Sequence, residues 1–130
     1  CAGAVAPMPS ARGRLGSRGE RAARVYLEKK GYLIREANFR CQWGEVDIVA
    51  QQGEGMVFVE VRTRRSEAFG SPEESLTEAK RRRLLATAQT YLQAHPEAPA
   101  SWRIDLVSLH IGPQGAVERV THVENAVWES

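Results

Sequence analysis

The chain has 130 residues, 42% of them hydrophobic and 26% charged, with a formal net charge of +2. Those figures describe an ordinary globular domain, long enough to bury a core without staples. No run approaches the roughly 20 apolar residues that span a bilayer, and Cys1 and Cys41 make neither a disulfide framework nor a zinc knuckle.

Cys1 to Gly13 is rich in Ala, Gly, Pro and Ser and has no periodicity. It reads as a flexible tail before a single domain over residues 14–130. No apolar stretch follows a basic start, so the expectation is no signal peptide and a cytoplasmic location.

Ser17 to Lys30 predicts a helix, with Ala22/Tyr26 and Ala23/Leu27 as i,i+4 pairs. Ser17 and Glu20 fit a capping box, and Gly31 suits the end. Tyr32 to Phe39 predicts a strand, as does Trp43 to Ala50. In the latter, alternation puts Val46 and Ile48 on one face and Glu45 and Asp47 on the other. Gln51 to Gly55 is a hairpin turn. Met56 to Thr63 alternates most clearly, with Val57, Val59 and Val61 opposite Phe58, Glu60 and Arg62.

Arg64 to Ser71 reads as a polar loop. A long helix then starts between Ser71 and Thr77 and runs to about Ala94, on a stripe of Leu84, Leu85, Ala88, Tyr91 and Leu92. Trp102 to Leu109 and Val117 to Val123 predict two more strands. The order α-β-β-β-α-β-β predicts an α/β fold, a central mixed sheet of about five strands flanked by helices.

Charge is unevenly placed. Nine basic residues oppose three acidic ones between Arg12 and Arg40, but eight acidic oppose three basic between Cys41 and Ala79. The tetrad Lys80 to Arg83 follows. A carboxylate centre with basic flanks suits a metal-dependent enzyme on a polyanion; a solvated surface of mixed charge is the plainer reading.

Three acids stand where a metal site can form. Asp47 and Glu60 lie on strands joined by a short hairpin, about 5 Å apart. Glu20 lies on a helix able to pack over them. Asp is depleted in strand interiors, which makes Asp47 hard to explain as filler. Oxygen donors without His or Cys favour Mg²⁺ or Mn²⁺ over zinc. The scattered histidines, His95, His110 and His122, are not expected to be ligands. Plainer roles exist: Glu20 as a cap residue, Glu60 with Arg62 as a surface ion pair, Glu45 as an edge-strand solubiliser, and Lys80 to Arg83 as a solvated helix face.

Gly16–Glu20 (GSRGE), Gly44–Ala50 (GEVDIVA), Val57–Arg62 (VFVEVR), Phe69-Gly70, Lys80, Arg103–Asp105 (RID) and His122–Ala126 (HVENA) occur in this order. Together they resemble the YraN-like family of bacterial proteins, from Gly16 onward. That family is similar to the restriction-endonuclease-like PD-(D/E)xK nucleases, nearest in shape to Holliday-junction resolvases. The resemblance implies a restriction-endonuclease-like core and Mg²⁺-dependent action on DNA phosphodiesters, branched or single-stranded. It implies Asp47 and Glu60 as metal ligands, Glu20 as the acid completing the site, and Lys80, Arg81 and Arg64 on the nucleic-acid backbone. It also implies a homodimer, as in the resolvases.

One position departs from the pattern: the motif lysine is Arg62. Arginine keeps the charge but cannot lose a proton at working pH. Three readings stay open: a metal-dependent nuclease; a weak or inactive module that binds nucleic acid or protein on a nuclease fold; and a structural protein whose acids pair with arginines.

Overall fold

The computed structural model describes residues 11–65 and 70–128, with side chains from Gly19 onward in the first helix. Residues 1–10 of the expected tail and Phe69 lie outside the described residues. The elements are α1 (Ala11–Lys29), β1 (Leu33–Cys41), β2 (Gly44–Gln52), β3 (Gly55–Arg65), a 3₁₀ turn (Pro72–Ser75), α2 (Glu78–Ala94), β4 (Ser101–Ile111) and β5 (Val117–Val127).

The sheet has five strands in the order β1-β2-β3-β4-β5. Only β3 and β4 run parallel, joined through α2; the other neighbours are antiparallel. This is the expected α/β architecture. Each central strand is apolar on both faces, as a sheet covered on both sides requires. Ala23 and Leu27 of α1 pack with Ile48, Val57, Val59 and Val107. On the opposite face Leu84, Ala88 and Tyr91 of α2 pack with Val49, Phe58, Ile104 and Leu106. The result is three layers, α/β/α. Among the described residues no helix is long and apolar enough to cross a membrane.

Helix α1 begins at Ala11, ahead of the Gly13 at which the sequence predicts the tail to end. Ser17 therefore lies inside the helix, and the capping box expected of Ser17 and Glu20 is not formed. Arg12, Arg14 and Leu15 are good helix formers that carry the turn across Gly13 and Gly16. Helix α2 begins as a capped helix should: Thr77 is extended and its hydroxyl accepts from the Lys80 backbone N–H.

The alternation expected along β2 fails at one point. Val46 packs on the α2 side of the sheet and Ile48 on the α1 side. The β2–β3 ladder runs from Gln52↔Gly55 to Ile48↔Val59 and stops there. Beyond it the two strands part, and Asp47 sits at the parting. Asn38 occupies the matching place in β1, between Ala37 and Phe39, with φ at 57°. Asn is among the few residues that accept this left-handed conformation.

Candidate functional site

The fork between β2 and β3 opens into a cavity of about 400 Å³, lined by Glu20, Glu45, Asp47, Glu60, Arg62 and Lys80 among others. The four acids come from three elements. Helix α1 brings Glu20 close because Gly19 leaves room against the sheet: a Cβ there would meet the Thr63 methyl at 3.0 Å. Strand β2 supplies Glu45 and Asp47, and β3 supplies Glu60. Lys80 enters from the first turn of α2.

Asp47 turns into the gap between the strands. Its Oδ2 accepts the Val61 backbone N–H at 2.7 Å. The carboxylate thus replaces the carbonyl that a continued ladder would have offered. Burial raises its pKa to about 8, and the charges of Glu60, Glu20 and Glu45 act in the same direction; the Val61 N–H opposes them. Burial and the surrounding acids thus favour the protonated form of Asp47 in this arrangement.

Glu60 is 5% exposed. Arg62 Nε donates to its Oε2 at 2.9 Å, and Lys80 Nζ stands 3.6 Å from the same oxygen. Glu45 is paired with Arg40. Burial pushes the Glu20 pKa up and the neighbouring Glu45 adds to it, while a hydrogen bond from Asn38 pulls it down.

The cavity therefore gathers the predicted Glu20, Asp47, Glu60, Arg62 and Lys80. It does not bring the carboxylates to a common point. Among the described residues no group of three or more His, Cys, Asp or Glu side chains is assembled to hold a metal ion. Packed carboxylates repel, so each takes its own neighbour: Glu60 two cations, Glu20 an amide, Asp47 a proton and a backbone N–H. The donor set is still all oxygen, with a protonated acid ringed by other acids, and that chemistry suits a hard divalent ion.

The basic residues divide. Strand β3 continues to Arg65, so Arg64 lies on the same face as Arg62. Arg81, expected on a phosphodiester backbone, has its guanidinium engaged within the fold. Its guanidinium donates to the Leu76, Glu73 and Ala126 carbonyls at 3.1, 3.2 and 3.1 Å. It ties the 3₁₀ turn and the start of α2 to the end of β5. The fork of the planar guanidinium matches three converging carbonyls as readily as it matches phosphate.

The RID and HVENA segments build a second polar cluster on the α1 side. Asp105 is fully buried and receives His122 Nε2 at 2.7 Å, Arg103 Nε at 2.9 Å and the Asn125 backbone N–H at 2.9 Å. Burial alone would raise the Asp105 pKa; these three donors outweigh it and hold the pKa below the ordinary value. Lys30 Nζ lies 3.0 Å from His122 Nδ1. An ammonium only donates, so Nδ1 accepts and Nε2 carries the proton. Arg103 also reaches the Tyr32 hydroxyl at 2.7 Å. Every member of this cluster is engaged, and it reads as a clamp between β4, β5 and the α1–β1 corner.

Asn38 went unnoticed in the sequence, and Asn125 entered only as a letter of HVENA with no role of its own. Each sits at positive φ within a strand and bonds to an acid, Asn38 through its side chain to Glu20 and Asn125 through its backbone to Asp105. The available signal is an asparagine inside a strand pattern, where that residue is depleted.

Comparison with known proteins bears on the motifs. Residues 19–109, which include Glu20, Asp47, Glu60, Arg62, Lys80 and Asp105, match a family described as "Uncharacterised protein family UPF0102". A UPF0102 protein of Roseiflexus castenholzii is 42% identical over 125 residues, 95% of this chain and 100% of the relative. One of Chloroflexus aurantiacus is 46% identical over 124 residues, 94% and 99% of the two chains. One of Moorella thermoacetica is 48% identical over 117 residues, 90% and 95%. With the family model matching residues 19–109 and relatives 42–48% identical over nearly the whole chain, the chain belongs to the UPF0102, or YraN-like, family.

Proposed function

We propose that this protein is a Mg²⁺-dependent nuclease acting on DNA phosphodiesters. The observation that carries the reading is the placement of Asp47 at the β2–β3 fork, in one cavity with Glu60 and Lys80. A buried acid among acids is stable only with a proton or a cation. Asp47 and Glu60, with Glu20 beside them, would hold Mg²⁺ or Mn²⁺, which polarises a phosphoryl oxygen and acidifies a water.

The chain's own residues do the rest. The Val61 N–H fixes one oxygen of the Asp47 carboxylate, and the residue lines the cavity. Arg62 holds Glu60 in place and carries a fixed positive charge. Lys80 supports the reading most on the point where Arg62 departs from the motif: its ammonium, supplied from α2, reaches Glu60 as a motif lysine would from β3. A lysine there can orient a water or neutralise a leaving oxygen, which arginine does less readily. Glu60's two cationic partners equally favour the second reading, a nucleic-acid-binding module without cleavage.

Cleavage of labelled four-way junctions, flaps and single strands in Mg²⁺ or Mn²⁺ tests the proposal. The wild type cuts at least one of them, and Asp47→Ala and Glu60→Ala each fall to background. Activity that survives both substitutions overturns it. Binding without cleavage in the wild type, weakening steeply with salt, selects the second reading.

A further inference from the structure

A second cavity, of about 380 Å³, opens beside the first. Arg62 and Thr63 line both. Arg64, Ser71, Ser75 and Ser108 contribute further polar groups to the second, together with the acid Glu74.

Ser108 is the telling residue. It is fully buried in β4 and pairs in register with Arg62 of β3. Its hydroxyl has no hydrogen-bond partner among the described residues. Buried polar groups in native proteins are almost always bonded, and an orphan calls for an explanation. A ligand that enters the cavity and accepts from this hydroxyl supplies one.

The lining identifies the ligand's chemistry. Arg62, which also holds Glu60, and Arg64 bring guanidinium donors to the lining, and serine hydroxyls add neutral ones, so apart from Glu74 the cavity presents donors that suit an oxyanion. Its position narrows the choice further. Glu60, Arg62 and Arg64 project from one face of β3, because strand side chains alternate. Successive members are about 6.6 Å apart along the strand. Neighbouring phosphates on a nucleic-acid strand have a comparable spacing. A strand with one phosphate at Glu60 and Lys80 would place the next beside Arg62 and its register partner Ser108, with Arg64 one step beyond.

We propose that this second cavity is a phosphodiester subsite, in which Arg62, Arg64 and Ser108 hold the phosphate next to the one in the Asp47–Glu60 cavity. The register between the two phosphates rests on the nuclease reading; the anion site at Ser108 does not.

The test follows backbone amide shifts of the ¹⁵N-labelled full chain. It is titrated with inorganic phosphate and, separately, with a short single-stranded oligonucleotide. Both move the Arg64, Ser75 and Ser108 amides, and the oligonucleotide displaces phosphate. Ser108→Ala weakens both by about tenfold, the loss of one charge-assisted hydrogen bond. It melts at or above the wild type, because a hydroxyl without a partner among the described residues supports nothing in the described fold. Unmoved amides, equal binding by Ser108→Ala, a lowered Tm in that variant, or phosphate binding that the oligonucleotide cannot displace would each overturn the subsite. Asp47→Asn separates the two claims. If cleavage persists in Asp47→Asn while Ser108→Ala still weakens binding, the nuclease reading falls and the subsite stands.

Discussion

The Val61 backbone N–H donates to the Asp47 carboxylate at 2.7 Å, across the point where β2 and β3 stop pairing. One hydrogen bond therefore does two things. It satisfies a backbone donor that the parting strands would leave orphaned, and it fixes an acid in a cavity that already contains three others.

Asp47 should make the metal-free protein less stable as pH rises. Its pKa is about 8 in the fold and about 3.8 as an ordinary carboxyl. The folded state thus keeps a proton that the unfolded chain gives up, and stability declines from about pH 4 to pH 8. Asp47→Asn keeps the shape and removes the titration. In EDTA, its Tm should match the wild type at pH 4 and exceed it by several degrees or more at pH 8, where the raised pKa costs the wild type most. Equal melting temperatures at both pH values would show that the acid is not strained.

Arg81 should prove structural. Three carbonyls, two from the 3₁₀ turn and its cap and one from β5, share its guanidinium. Arg81→Ala should cost about 2–4 kcal/mol by denaturant unfolding. The salt dependence of DNA binding should keep its slope, since no phosphate contact is lost. A slope lower by about one with unchanged stability would return Arg81 to the nucleic-acid interface.

Asp105 should anchor the sheet's far edge. Asp105→Asn leaves Arg103 and His122 without a buried anion and should cost about 3–5 kcal/mol at pH 7. Because the folded pKa is lowered, this contribution is present above about pH 4 and fades as pH falls through the folded value. The gap between wild type and variant should therefore close in acid. A gap that is constant with pH would mean the aspartate acts by shape alone.

The fold was legible because its signals were local. Alternation in Val57–Val61 and the helical stripe from Leu84 to Leu92 each name one face, and the structure buries those faces. The site was legible only as residue types. Alternation assigned Val46 and Ile48 to one side of the sheet, yet the strand switches sides between them. That switch depends on where the β2–β3 ladder ends, a tertiary fact with no periodicity to announce it. The apparent capping box at Ser17 had the right letters in the wrong place, because the helix runs on toward its N-terminus. Arg81 and Lys80 are adjacent in one basic run, and nothing local says that one closes on carbonyls while the other reaches Glu60. Ser108 is one polar residue in an apolar strand, and only the lack of a partner for its hydroxyl among the described residues marks it.

The central claim is that Asp47 and Glu60 can close on a divalent ion. Calorimetric titration of the full chain with Mn²⁺ at pH 8 tests it most directly. The wild type should bind one ion, and Asp47→Asn and Glu60→Gln should each weaken binding by at least about tenfold, a loss of about 1.4 kcal/mol. A wild type that takes up no Mn²⁺, or variants that bind it as well as the wild type, would contradict the account.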